Sequence, residues 1–345
     1  MRALVNDRVR PSAVPPPSLD AARFHLGLAG YRPTPLRELP AIAAELGVAA
    51  VALKDESKRL GLPAFKVLGA SWAVERALRE RPGVRTLVAA SAGNHGRAVA
   101  HVAAQRGLGC RILLPVRAAS ARREAIAAEG AVVVVVDGPY EDAVARAAAE
   151  GRDEGVLEVA DVGASASASA VIDGYATLFA EVAEQGAFDL LLVPVGVGSL
   201  AAAAARYAAR ADVRVLGVEP VAAACLTASL AAGRPTAVMT PGTSMAGLDC
   251  AEVSEAAWPS LRDGVHGTLT VSDAEAHAAM RELAAAGFAI GDCGAAPLAA
   301  LRALATEPAC AALREAVDFA RDSRVLLIAT EGPTDPEAYR AALNI

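Results

Sequence analysis

An α/β fold, with two domains built on twisted, mostly parallel sheets flanked by helices, is predicted from three observations. Apolar runs bounded by turn residues alternate with helical patterns along the chain. Glycine-containing turns follow two of those runs, where parallel strands deliver their loops. The composition, 54% hydrophobic but only 4% aromatic over 345 residues, favours helices and an aliphatic core.

The strands read from the sequence are Thr86–Ala90, Arg111–Pro115, Val132–Val136, Leu190–Val195, Arg214–Glu219 and Val325–Ala329. Helical segments follow nearly all of them, which argues for parallel sheets covered on both faces. Residues 1–30, with Pro15-Pro16-Pro17, read as an N-terminal arm. Residues 31–69 and 181–345 form the larger domain and 70–180 the smaller one, with a cleft between them. The alanine-rich stretch from Ser199 to Arg210 is expected as a buried helix.

Charge and cysteine usage exclude several function classes. A net charge of −6 without basic runs argues against nucleic acid as a partner and leaves a small metabolite. Cys110, Cys225, Cys250, Cys293 and Cys310 are scattered, with neither zinc-ligand nor disulfide-framework spacing. No metal is expected. The absence of an apolar signal segment and of long apolar spans leads to the expectation of an untargeted cytoplasmic protein with no membrane contact.

The lysines single out one window. Of 33 basic residues only Lys54, Lys58 and Lys66 are lysine. Arginine serves for surface charge but cannot form an imine, so a lysine kept amid arginines points to amine chemistry. Lys54 ends an apolar run before Asp55 and reads as ion-paired, and Lys58 sits in a polar turn. Lys66 lies where a loop enters a helix, and burial there with the helix's positive end is expected to lower its pKa. Taken alone it reads more readily as a lysine snorkelling from a helix start.

Two glycine-bearing loops complete the pattern. Gly196-Val197-Gly198-Ser199-Leu200 joins a strand to the alanine-rich helix, in the form of a cradle for a monophosphate: close backbone, inward N–H groups, helix dipole. An ordinary tight turn is the plainer reading. Ser91-Ala92-Gly93-Asn94-His95-Gly96 precedes a helix expected to start near Arg97 or Ala98, and its small residues suit the approach of a flat ring. Asn94 could hydrogen-bond a phenolic oxygen or simply cap the helix, and His95 is structural or catalytic.

Together these pieces resemble the fold type II pyridoxal 5′-phosphate (PLP) enzymes, which share a tryptophan synthase β-subunit-like fold. Thr34-Pro35-Leu36 resembles their opening motif, Lys66 the Schiff-base lysine, 91–96 the loop beneath the ring and 196–200 the phosphate loop. Lys54-Asp55-Glu56-Ser57, the run 60–69, Asp173-Gly174-Tyr175, Met245-Ala246-Gly247-Leu248 and Thr330-Glu331-Gly332-Pro333-Thr334-Asp335-Pro336 resemble the diaminopropionate ammonia-lyase family specifically. The resemblance implies a PLP-dependent lyase of amino-acid metabolism. It would catalyse β-elimination from a small β-substituted amino acid, 2,3-diaminopropionate above all, giving pyruvate and ammonia. It implies catalytic roles for Lys66 and Asp161, and cofactor contacts from Phe65, Lys66, Asn94, Gly196, Val197, Gly198, Ser199, Leu200 and Thr330, the last against the pyridine nitrogen. Substrate contacts fall to Ser91, Ala92, Gly93 and His95. A homodimer is also implied.

Two departures stand out. The family has an aspartate, implicated in handling the D-substrate, where this chain has Ala92. Asp161 lacks the aromatic neighbours expected beside it. β-Replacement, a serine or threonine dehydratase, and a PLP-fold binding protein without turnover are the alternatives. Within 233–294 no motif assigns roles, although Thr243, Ser244 and Asp292 are candidates for substrate or cofactor contact, and Cys250 and Cys293 flank the loops concerned.

Overall fold

The computed structural model describes residues 2–344. Its strands are β1 (Ala3–Val5), β2 (Leu36–Glu38), β3 (Ala50–Asp55), β4 (Thr86–Ala90), β5 (Gly109–Pro115), β6 (Val132–Val136), β7 (Val156–Glu158), β8 (Leu190–Pro194), β9 (Arg214–Pro220), β10 (Gly267–Val271) and β11 (Arg324–Ala329). They form a seven-stranded sheet, in the order β1-β10-β9-β8-β11-β3-β2, and a four-stranded sheet, β6-β5-β4-β7. Every pairing is parallel except those of the two edge strands β1 and β2 in the larger sheet.

β8, Leu-Leu-Leu-Val-Pro, is buried at all five positions, as a central strand with helices on both faces must be. On one face lies the helix Ser199–Ala211, where Ala201–Ala205 are at most 1% exposed. Methyl side chains let that helix sit close to the sheet.

The two sheets are joined by a pair of long helices, Lys66–Glu80 and Ala166–Gln185, which pack on one another. Their crossing uses glycine on both sides. A Cβ on Gly174 would lie 2.5 Å from the Leu68 carbonyl oxygen, and one on Gly69 would lie 2.6 Å from the Tyr175 ring. The Asp173-Gly174-Tyr175 motif is therefore the contact that sets this crossing. Residues 2–30 lie against the body rather than projecting from it: β1 extends the large sheet by pairing with β10, and Ala21 and His25 of the helix Leu19–Leu26 are fully buried. Among the described residues no helix is long and apolar enough to cross a membrane.

Candidate active site

Parallel sheets gather loops at the carboxyl ends of their strands. Here β4 leads into 91–96, β7 into Asp161, β8 into 196–200 and β11 into Thr330. These loops, with Lys66, line one cleft of about 1190 Å³. Every residue named above for catalysis, cofactor or substrate lines it, as do Ser244, Asp292, Cys250 and Cys293. Thr243 does not; its hydroxyl donates to Asp273.

The segment before Lys66 is fixed by main-chain bonds. Ala64 pairs with Glu331 in an isolated antiparallel bridge, Phe65 N donates to Thr330 O at 3.2 Å, and Gly332 N donates to Pro63 O at 2.9 Å. Lys66 is thereby held beside the end of β11. A buried charge network supports the same loop. Lys54 Nζ donates to Glu181 Oε2 at 2.7 Å, and Arg59 donates to Glu181 Oε1 and to Glu56 Oε1, each at 2.6 Å. Thr34 Oγ1 donates to Glu56 Oε1 at 2.6 Å. Two cations and two carboxylates balance there, so Thr34 and Lys54-Asp55-Glu56 serve as the seat of the Lys66 loop. Lys58 is exposed.

Lys66 Nζ donates to Asp161 Oδ2 at 2.9 Å. Burial alone would lower the lysine's pKa, but the facing carboxylate raises it well above the ordinary range. The expectation of a lowered pKa is corrected by this partner, which the sequence separates from Lys66 by ninety-five positions. Burial likewise opposes ionisation of Asp161, yet His95 and Lys66 hold its carboxyl well below the usual range. His95 Nε2 lies 2.7 Å from Val159 O, and its Nδ1 lies 3.7 Å from Asp161 Oδ2. The side chain is 3% exposed and its pKa is lowered by burial.

The loop Ser91–Gly93 is tighter than expected. The helix begins at Asn94 rather than at Arg97 or Ala98, and Gly93 is its N-cap. Gly93 N donates to Ser91 Oγ at 3.2 Å, which turns the chain into the helix early. The Asn94 amide, freed from capping, donates through Nδ2 to Glu331 Oε2.

Two observations test whether the residues fit PLP. A Cβ on Gly196 would lie 2.8 Å from the Gly247 carbonyl oxygen, and Gly198 has φ +91°, so this loop keeps bare backbone at the start of a thirteen-residue helix, as a phosphate cradle requires. Thr330 Oγ1 is buried without a hydrogen-bond partner in the protein. Such a hydroxyl asks for a partner from outside the chain, and a pyridine nitrogen is one. The residues fit the cofactor.

Sequence reasoning named Asp292 as a candidate contact and quoted Glu331 only within a motif, without foreseeing that the two meet behind Thr330. Ligand atoms of Asp292, Cys293 and Glu331 all lie within 4.8 Å of one another. Burial and the neighbouring Asp292 push the Glu331 carboxyl up to about 7, and burial raises Asp292. Glu331 stood in a motif already quoted, next to Thr330, but the approach of Asp292 and Asn94 to it is tertiary. All five cysteines are free thiols.

The model of the family described as pyridoxal-phosphate dependent enzyme matches residues 28–331. The diaminopropionate ammonia-lyase of Escherichia coli strain K12 is 33% identical over 93% of this chain and 89% of its own length. The biosynthetic L-threonine dehydratase of the same strain is 28% identical over 72% of this chain and 48% of its own. Among solved structures, E. coli diaminopropionate ammonia lyase, in complex with an aminoacrylate-PLP azomethine reaction intermediate, superposes with a TM-score of 0.90 at 31% identity, covering 99% of this chain and 96% of that one. Maize serine racemase, at 24% identity and a TM-score of 0.81, shares the fold. The chain thus belongs to the fold type II pyridoxal-phosphate dependent enzymes and, within them, to the diaminopropionate ammonia-lyase family of carbon–nitrogen lyases.

Proposed function

We propose that the protein converts 2,3-diaminopropionate and one water into pyruvate and two ammonia, with Lys66 holding the cofactor in the resting enzyme. The observation that carries this reading is the acidic character of the cleft around Lys66. Asp161, Asp292 and Glu331 line it together. A substrate whose β-substituent is a protonated amine gains from such surroundings, whereas serine or threonine offers a neutral hydroxyl there.

In this reading Gly196–Leu200 hold the phosphate of PLP, Thr330 meets the pyridine nitrogen and Asn94 the phenolic oxygen. The cofactor supplies an electron sink for the negative charge left at the α-carbon. Lys66 Nζ, released when substrate takes its place, removes the α-proton. The β-substituent, bound as an ammonium, already carries the proton with which it leaves as ammonia, so the proton taken from the α-carbon stays on the Lys66 nitrogen. Asp161 faces that nitrogen at 2.9 Å and, being held ionised, stabilises its protonated form rather than acting as the acid itself. His95, anchored to Val159 O, sets its Nδ1 3.7 Å from Asp161 Oδ2 without a hydrogen bond to it.

Ala92 gives the proposal its stereochemistry. With no carboxyl at this position, Lys66 is the base, and it reaches the α-proton from one face. With the carboxylate that the family resemblance links to the D-substrate absent, the reading takes the L-isomer as the substrate. The same Ala92 supports a second reading, L-serine or L-threonine dehydration, in which a neutral leaving group replaces the amine. A homodimer acting in the cytoplasm belongs to the proposal as well, and light scattering tests its assembly.

Pyruvate formation from L- and D-2,3-diaminopropionate, L-serine and L-threonine discriminates these readings. Turnover of L-2,3-diaminopropionate at a kcat/KM at least about a hundredfold above that of L-serine is expected. The reverse order would establish the dehydratase.

A further inference from the structure

We propose that Glu331 is a positioning residue that fixes which edge of the Asn94 amide faces the cofactor. The inference rests on the reading that Asn94 meets the phenolic oxygen of PLP. A carboxamide has two edges of equal size and opposite chemistry, and packing cannot tell them apart. Pointing its carbonyl at an anionic oxygen would repel; pointing its NH2 there would bind. Something must make the choice, and in the structure it is Glu331, whose Oε2 accepts from Asn94 Nδ2.

The geometry suits that task on three counts. Nδ2 carries two hydrogens, so one bond to Glu331 leaves the second free for a ligand while the amide oxygen is turned away. Glu331 is itself immobile: it is 5% exposed, its main chain bridges Ala64, and its carbonyl accepts from Gly291 N at 3.0 Å. Finally, the contact spans the cleft, since Asn94 opens the helix after β4 of the four-stranded sheet and Glu331 follows β11 of the seven-stranded one. The loop beneath the ring and the wall behind Thr330 are thereby tied together.

A double-mutant cycle on cofactor affinity tests this. Apo-enzyme is titrated with PLP, following the visible absorption band and the quenching of protein fluorescence, for wild type, E331A, E331Q, N94A and N94A/E331A. E331A is expected to weaken binding about tenfold, the loss of one oriented hydrogen bond. E331Q carries an amide that can turn either edge toward Asn94, so it no longer makes the choice and should weaken binding, though by less than E331A. In the N94A background E331A should add nothing. Equal weakening by E331A in both backgrounds would overturn the proposal, as would an E331Q that binds PLP as wild type does. A weakened N94A beside an unaffected E331A sinks the inference alone, whereas N94A with wild-type affinity removes the assigned role of Asn94 as well.

Discussion

Lys66 owes its protonation state to Asp161, a residue ninety-five positions away. That distance explains what was legible at the residue scale. A chain that uses arginine almost everywhere advertises its few lysines, so Lys66 stood out; the partner that reverses its pKa shift did not. Glu331 was hidden for the same reason, since its contacts to Asn94 and Asp292 come from other loops. Ala92, by contrast, is informative as a missing group. Ala92→Asp restores a carboxyl to the loop between β4 and the following helix, and general bases contribute about 10²- to 10⁴-fold. Turnover of D-2,3-diaminopropionate by this variant is expected to rise at least about tenfold, with L-turnover changing less. A D-isomer rate left at the wild-type level would show that loss of the acid is not what sets stereochemistry.

The elements that carry these residues were legible through unbroken apolar runs rather than through burial: β6, buried at one position, was read with its exact bounds, whereas β10, buried throughout, was missed. The runs Thr86–Ala90 and Val132–Val136 coincide with β4 and β6, while β5, β8, β9 and β11 differ from their expected ends by a residue or two. β1, β2 and β7, each three residues long, and β10, in a region without motifs, carry too little pattern to be seen. The loop from β3 to Lys66 shows how one element supports the site. Lys54, Glu56, Arg59 and Glu181 are buried and mutually bonded. Removing one member strands an opposite charge, which costs about 3–5 kcal/mol. Arg59→Met should lower unfolding free energy by that amount in urea titrations of the holoenzyme, and a loss below about 1 kcal/mol would mean the network is solvated.

Over the whole molecule, the two sheets and the long helices between them support the division into a smaller unit, 70–180, and a larger one, 31–69 with 181–345, which we propose as the domains. His25 sits, fully buried, where the helix Leu19–Leu26 meets that pair of helices. Its ring nitrogens lie 2.6 Å from Thr177 Oγ1 and 3.0 Å from Ser71 Oγ, joining the first helix to both long ones. Burial, aided by Arg59, pushes its pKa down to about 3. An unfolded histidine takes its proton near 6.5. The native state thus binds fewer protons between those values, so this contribution is full above pH 6.5 and is lost as pH falls toward 3, at about 1.4 kcal/mol per unit. Glu219 and Glu331, both pushed up to about 7, act with the opposite sign, losing stabilisation as pH rises from 4.5 through 7. The difference between wild type and His25→Gln isolates the histidine. It should grow with pH from 4.5 to 6.5 at fixed cofactor concentration; a difference independent of pH would mean His25 is protonated in the fold.

The cofactor on Lys66 is where every scale meets, and one spectrum tests it. Purified protein supplied with PLP is expected to show a visible absorption band between about 400 and 430 nm that sodium borohydride removes and that Lys66→Ala lacks, because only a lysine can form the imine. A wild type that stays colourless, or a variant that keeps the band undiminished, would contradict the account.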